Sequence, residues 1–339
     1  MAVPLAVVLS RHTLTCRRAA QAFVAAGLEV VQCESPHWGP SDRDHVRLVL
    51  LDLDLEPGTP PERLAESTGK TYPGVPIAAV AGLRATERLF AALAHPAVAH
   101  LVPKRGTSRP PGPATLEELG STAWPDEHAL YTLARRRLVA AEGLSGFFLS
   151  GTPIHTHVLR RTGERWAVLS ALEGFVGSLE LPRDRASRVQ LVADELLMNG
   201  LFDAPRDASG EPLHRAQEPD VALDAERPVT LSYACDGQTL GVAVRDGFGT
   251  LTRERVVERL SRVGDPDLAP AEGPGGAGLG LLMVHASASQ LVFRLVPGHL
   301  TEVVATLRLG GNAREALLFG TSVHLEVAGP VTPSTDTAA

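Results

Sequence analysis

The stretch Asp194-Glu195-Leu196-Leu197-Met198-Asn199-Gly200-Leu201-Phe202-Asp203-Ala204 decides how this chain is read. It belongs to a helix expected over 184–202 and presents a carboxylate and a carboxamide four residues apart. Residues at i and i+4 share a helical face, so Glu195 and Asn199 are expected to point into one pocket. Leu191, Val192, Leu196 and Leu197 fill the opposite side. An Asn oxygen is a hard ligand suited to Mg²⁺. A Glu one turn earlier can accept a proton from a water or a hydroxyl as general base. Alone, such a pair is what many solvated helix faces carry, so its meaning depends on the rest of the chain.

Two downstream segments supply the context. Thr239-Leu240-Gly241-Val242-Ala243-Val244-Arg245 reads as a strand and ends in Asp246-Gly247-Phe248-Gly249. Further on, Gly273-Pro274-Gly275-Gly276-Ala277-Gly278-Leu279-Gly280 opens an apolar helix. A glycine-rich turn at a helix N-terminus wraps backbone N–H groups around phosphates, and the helix dipole favours the anion. A carboxylate at a strand end, such as Asp246, can accept a hydrogen bond from a base amino group. No Gly-Lys-Ser or Gly-Lys-Thr follows the glycines, which excludes a Walker P-loop. Gly280 runs into uncharged apolar residues without the ribose-binding acid of a dinucleotide fingerprint.

This order of helix Glu/Asn, strand Asp-Gly and glycine-rich loop resembles the ATP-binding domain shared by gyrase, Hsp90, histidine kinases and MutL, the GHKL or Bergerat fold. The entry to the helix is similar to that of the anti-sigma-factor serine kinases. Residues 154–159 read as a strand, and 165–179 as a helix with Trp166, Val168, Leu169, Leu172, Phe175 and Val176 on one side. A break follows at Leu181-Pro182. Two closing strands are expected at 290–295 and 301–309. No helical hairpin with a phospho-accepting His is found, which distinguishes the chain from a complete sensor histidine kinase.

The resemblance covers roughly 152–310 and implies a two-layer α/β fold that binds ATP and Mg²⁺. It places Asn199 on the metal and Asp246 and Thr301 on adenine. Gly276, Gly278 and Gly280 are placed along the phosphates, with Gly249 of the first glycine box among the nucleotide-binding positions. Glu195 is implied as the base that takes the proton of a partner's Ser hydroxyl, and the partner as a sigma factor, an antagonist or another signalling protein. Two departures stand out. The family's first glycine box has glycines two and four after the Asp, where this chain has Phe248 and Thr250. The family's His near the end of the Asn helix is replaced by Asp203. These favour nucleotide binding over turnover. They keep open a non-catalytic scaffold and half of a split histidine kinase.

Residues 1–105 alternate strand and helix. Strands are expected at 5–9, 28–31, 46–52, 75–80 and 99–102, and helices at 17–26, 61–67 and 85–94. The first strand is a continuous apolar run, as in a buried parallel sheet. This five-stranded α/β sandwich resembles a response-regulator receiver domain. Asp52 is then the candidate phospho-acceptor, with Asp54 beside it and Lys104 as the sensing lysine. Ser10 and Arg11 stand where a receiver has its acid pair, and Ala81 where it has a hydroxyl. Mg²⁺ is left with too few hard ligands, so a pseudo-receiver working through protein contacts is expected.

Between the two domains, 106–151 reads as a Pro/Gly-rich linker followed by a linking helix at 126–141. Leu130, Leu133, Leu138 and Val139 form its docking stripe, on either domain or on a second subunit of a homodimer. Beyond 310, a short strand at 322–327 and a polar, disordered tail are expected. The 339 residues carry 32 basic and 39 acidic side chains, net −7, which argues against a broad nucleic-acid-binding surface. Arg135-Arg136-Arg137 reads as a solvated helix face, and His155 and His157 as surface residues of a strand rather than a metal pair. Three cysteines without metal spacing, no apolar stretch of membrane-spanning length and no basic leader point to a cytoplasmic protein.

Overall fold

Leu5-Ala6-Val7-Val8-Leu9 contains no polar residue because both faces of its strand are covered. Val7 and Leu9 face one layer of the core, and Ala6 and Val8 the other. In the computed structural model, which describes residues 3–35, 37, 40, 43–82, 86–105, 124–139, 143–148, 150–207, 209–213, 220–263, 279–310 and 320–328, this segment forms β1 (Leu5–Leu9). It lies between β2 (Glu29–Cys33) and β3 (Val46–Asp52). β4 (Ile77–Gly82) and β5 (Val98–Arg105) extend the sheet, and all these pairs are parallel. The order β2-β1-β3-β4-β5 needs crossover helices, which cover both faces.

Helix α1 (Thr13–Ala26) lies on one face, and α2 (Pro61–Thr71) and α3 (Thr86–Leu93) on the other. Helix α1 begins earlier than the 17–26 expected from the sequence. Helix α4 (Glu127–Val139) falls within the segment read as linking, yet it packs against α1. Its Leu130 and Leu133 join Phe23 in the core of the first half, whereas Leu138 and Val139 are exposed. Only half of the expected stripe therefore docks. Asp126 starts this helix, its Oδ1 accepting the N–H groups of His128 (3.0 Å) and Ala129 (3.4 Å). Arg136 corrects the reading of a solvated face. It is buried, pairs with Glu326 at 3.1 Å and lies over the Phe147 ring.

A two-residue strand, β6 (Trp124–Pro125), pairs with β5. The second half contains β7 (His155–Leu159), β8 (Val229–Cys235), β9 (Thr239–Asp246), β10 (Gln290–Val296) and β11 (Leu300–Arg308), antiparallel in the order β10-β11-β9-β8-β7. Helices α5 (Arg165–Ser178), α6 (Arg183–Met198), α7 (Arg253–Ser261) and α8 (Leu279–Ser287) share one buried cluster with this sheet. Residues 143–148 cover its other face through Leu144, Phe147 and Phe148. On α5, Val168, Leu172 and Val176 recur at helical spacing and are buried. Trp166, expected beside them, falls outside that arc. It is 68% exposed, with the Arg165 guanidinium over its ring.

The strand expected at 322–327 is present as β12 (Ser322–Val327), and its placement is the main finding of the fold. It lies between β5 and β10, antiparallel to the first and parallel to the second, so one twelve-stranded mixed sheet runs through both halves. Both of its backbone edges are paired, and Val323 and Leu325 are buried. Arg245, Glu302, Arg294 and Glu326 stand opposite one another in register on β9, β11, β10 and β12. Arg136 extends this row of alternating charges, an arrangement that favours cross-strand pairing. The Pro/Gly-rich run 106–113, the segment 311–319 and the tail 329–339 lie outside the described residues. Among the described residues no helix is long and apolar enough to cross a membrane.

Candidate functional site

Helix α6 buries Val189, Val192, Ala193, Leu196 and Leu197, which leaves Glu195 and Asn199 on a less buried face. At Asn199 the helix widens into a π turn, Asn199–Asp203, closed by the Ala204 N–H on the Asn199 carbonyl at 2.8 Å. Such turns re-aim side chains and recur at functional sites. Here the turn brings Asp203 to the same cleft as Asn199. Thr250 ties it to the end of β9 by donating to the Ala204 carbonyl (2.9 Å).

The cleft encloses only about 60 Å³ and opens to solvent at its mouth. Asn199, Asp246 and Thr301 all line it, with Val244, Leu281, Phe293 and Val303 as apolar wall. Asp246 and Thr301 are directly paired residues of β9 and β11. Asp246 Oδ1 accepts the N–H groups of Phe248 (2.9 Å) and Gly249 (3.2 Å). Burial pushes its carboxyl up to about 6, against the opposing pull of those two N–H groups and of Thr301. The Thr301 hydroxyl lies near enough to act on the carboxyl, but makes no hydrogen bond of good geometry and is a buried atom without a partner. Buried polar atoms are normally satisfied, so the hydroxyl and the elevated carboxyl are the polar groups this apolar-walled cleft offers to a ligand.

No protein-family model matches the chain, and no curated protein matches it in sequence. The site is therefore read from its own geometry.

The structure adds residues that the sequence reading missed. Arg206, Arg255 and Arg259 line the cleft on the side of Asn199 and Asp203. Burial raises the Asp203 carboxyl, and the Arg259, Arg206 and Arg255 charges oppose that rise. The signal was available. Thr252 caps α7, and Arg255 and Arg259 follow four residues apart, opposite buried Val256 and Leu260. Neither α7 nor β8 was read from the sequence, although Val229, Leu231 and Tyr233 alternate in β8 with less buried residues.

Glu195 does not line the cleft. Its carboxylate lies against the first turn of α8, where a Cβ built on Gly280 would come within 2.2 Å of Oε2. Burial raises its pKa, neighbouring Asp194 and Asp203 add to the rise, and Arg165, which holds Asp194, opposes it. A raised carboxyl suits a general base. Gly280 is thus placed next to Glu195, while Gly276 and Gly278 lie outside the described residues. Gly249 does not line the cleft. At φ +60° it packs against the turn between β10 and β11, with room for no side chain beside His299 N and Val296 O. That contact gives Gly249 a structural reason to be glycine.

Asn199 is one hard ligand, and the described residues contain no group of three or more His, Cys, Asp or Glu suited to a metal. Mg²⁺ characteristically keeps few protein ligands and shares substrate phosphates. Asn199 fits that mode and does not make a free-standing metal site. His155 and His157 both stack on Tyr233, and His157 Nε2 lies 3.0 Å from its hydroxyl, as expected for surface strand residues.

Asp52 is remote from this cleft in sequence and setting. It is 0% exposed, and both oxygens are engaged. Oδ1 meets Lys104 Nζ at 2.6 Å and accepts the Asp54 N–H at 3.1 Å, while Oδ2 accepts from Ser10 Oγ at 2.6 Å. Lys104 also reaches Asp54 at 3.1 Å. Ser10 fills the space beside Asp52 with a hydrogen bond. An acceptor role would require this network to open.

Proposed function

We propose that the second half of the chain binds ATP with Mg²⁺ and acts on a protein partner, in the manner of the GHKL domains of anti-sigma-factor serine kinases. The observation that carries this reading is the convergence of Asn199, Asp246 and Thr301 from the π turn after α6, from β9 and from β11 on one cleft. Adenine would lie between Asp246 and Thr301. The phosphates would extend towards Asn199 and the arginines of the cleft, with Asn199 holding the magnesium. The ion would supply charge neutralisation at the phosphates. Glu195 would accept the Ser proton of a sigma factor, antagonist or other signalling protein as its oxygen bonds to the γ-phosphorus and ADP departs. Positioning and charge would do most of the catalysis.

The parallel order β2-β1-β3-β4-β5 supports a receiver-like first half. The sealed Asp52–Ser10–Lys104 network supports a unit that works without phosphorylation. Free thiols at Cys16, Cys33 and Cys235 suit a reducing, cytoplasmic setting.

Calorimetric titration with ATP and Mg²⁺ tests the site. Magnesium-dependent binding by the wild type, lost in Asn199→Ala, is the expected result. No binding at millimolar ATP would overturn the reading and leave an interaction scaffold. That second reading is favoured by one observation, the use of Gly249 as a packing residue rather than as a loop hinge.

A further inference from the structure

We propose that Arg253 is a positioning residue through which the first half of the chain sets the arginine wall of the cleft, an inference that rests on the nucleotide reading above. Arg253 opens α7 but does not line the cleft. Its Nη2 lies within hydrogen-bond distance of three carbonyls of the first half, those of Leu93 (2.6 Å), His95 (3.1 Å) and Val98 (2.7 Å), which share its two protons. Leu93 ends α3, and the other two lie on the path into β5. Carbonyls at a helix C-terminus lack intrahelical partners, and a cation there also meets the favourable end of the dipole. The guanidinium therefore fastens the N-terminus of α7 to the end of α3.

Arg255 and Arg259 follow on the same short helix, so their reach into the cleft is referred to that anchor. Phe90 of α3 also meets the ring of His285 on α8, at a centroid distance of 6.0 Å. Leu89, Phe90 and Leu93 share one buried cluster with Val256, Leu260, Leu281 and Val284. Helix α3 thus braces two of the helices that contribute to the cleft, α7 carrying Arg255 and Arg259 and α8 carrying Gly280 against Glu195. Packed interiors transmit displacement rather than absorb it. A ligand that engages Arg255 and Arg259 should tighten the α3–α7 contact, and loosening that contact should weaken the ligand by the same factor.

The test uses the full chain with ATP and Mg²⁺. Calorimetry compares the wild type, Arg253→Ala and Arg253→Lys, and hydrogen exchange follows residues 90–98 with and without nucleotide. The expected result is added protection of 90–98 in the wild type. Arg253→Ala should lose at least about fivefold in affinity, together with that protection. Arg253→Lys, which still offers an ammonium to the three carbonyls, should recover part of both. Wild-type binding without protection of 90–98, or unchanged affinity in Arg253→Ala, would overturn the coupling and leave the nucleotide site standing. Absence of binding to the wild type would overturn both. Should Arg253→Ala fail to fold, wild-type exchange decides alone.

Discussion

Asp246 and Thr301 occupy paired positions on adjacent antiparallel strands, so a carboxyl and a hydroxyl face each other at the base of the cleft. The carboxyl is held by two backbone N–H groups, and the hydroxyl lacks a partner. Burial lifts the carboxyl to about 6. A pair of this kind offers a carboxyl and a hydroxyl to a ligand, and the elevated carboxyl makes both stability and binding depend on pH.

The folded state holds the Asp246 proton more tightly than the unfolded chain. Between about pH 4 and pH 6 folding takes up a proton, so stability falls as pH rises through that window. Asp246→Asn keeps an oxygen for Phe248 and Gly249 but removes the charge. Denaturant unfolding should show it more stable than wild type at pH 7.5 by about 1–3 kcal/mol, with the difference vanishing near pH 4. Its affinity for an adenine nucleotide should drop about tenfold or more, because a charged acceptor is lost. Equal stability at pH 7.5 would contradict the buried, elevated carboxyl.

Gly280→Ala is expected to act on Glu195 rather than on the fold. The added methyl would meet the mobile carboxylate end of Glu195, while Ala in a helix is favoured over Gly by about 0.5–1 kcal/mol. Melting temperature should be unchanged or higher. Any phosphoryl transfer should fall both with Gly280→Ala and with Glu195→Ala, and nucleotide binding should persist in both. Full transfer in Glu195→Ala would remove Glu195 from the chemistry.

Gly249→Ala should be the opposite case. It combines a left-handed backbone with contacts to main-chain atoms that cannot swing aside. A loss of more than about 2 kcal/mol is expected by chemical denaturation. A neutral substitution would mean that the turn between β10 and β11 is not seated on Gly249.

The Asp52–Lys104 pair is wholly buried, so removing one partner leaves an uncompensated charge. Lys104→Met should destabilise by about 3–5 kcal/mol, and Lys104→Met with Asp52→Leu should recover much of it. A small phosphodonor should not label the wild type, since Ser10, Lys104 and the Asp54 N–H already engage both Asp52 oxygens. Label that appears in wild type and disappears in Asp52→Asn would show that the network opens.

The sequence by itself determined the local elements. The continuous apolar run 5–9 reads as a strand covered on both sides, and 46–52 departs from that pattern only at Arg47 and Asp52. The 322–327 strand and the shared helical face of Glu195 and Asn199 followed from hydrophobic period and i,i+4 spacing, which are local properties, but of the two only Asn199 lines the cleft. Tertiary structure decided which elements met. Strand β12 became the splice between β5 and β10, a choice made by edge pairing and burial of Val323 and Leu325 across long chain separations. Helix α4 entered the core of the first half because its Leu130 and Leu133 found α1, while Leu138 stayed at the edge near Gly27 and Val139 largely in solvent. The arginines of the cleft, the grip of Arg253 on three carbonyls and the sealing of Asp52 all join residues far apart in the chain. Such contacts depend on register and packing, which no local pattern encodes.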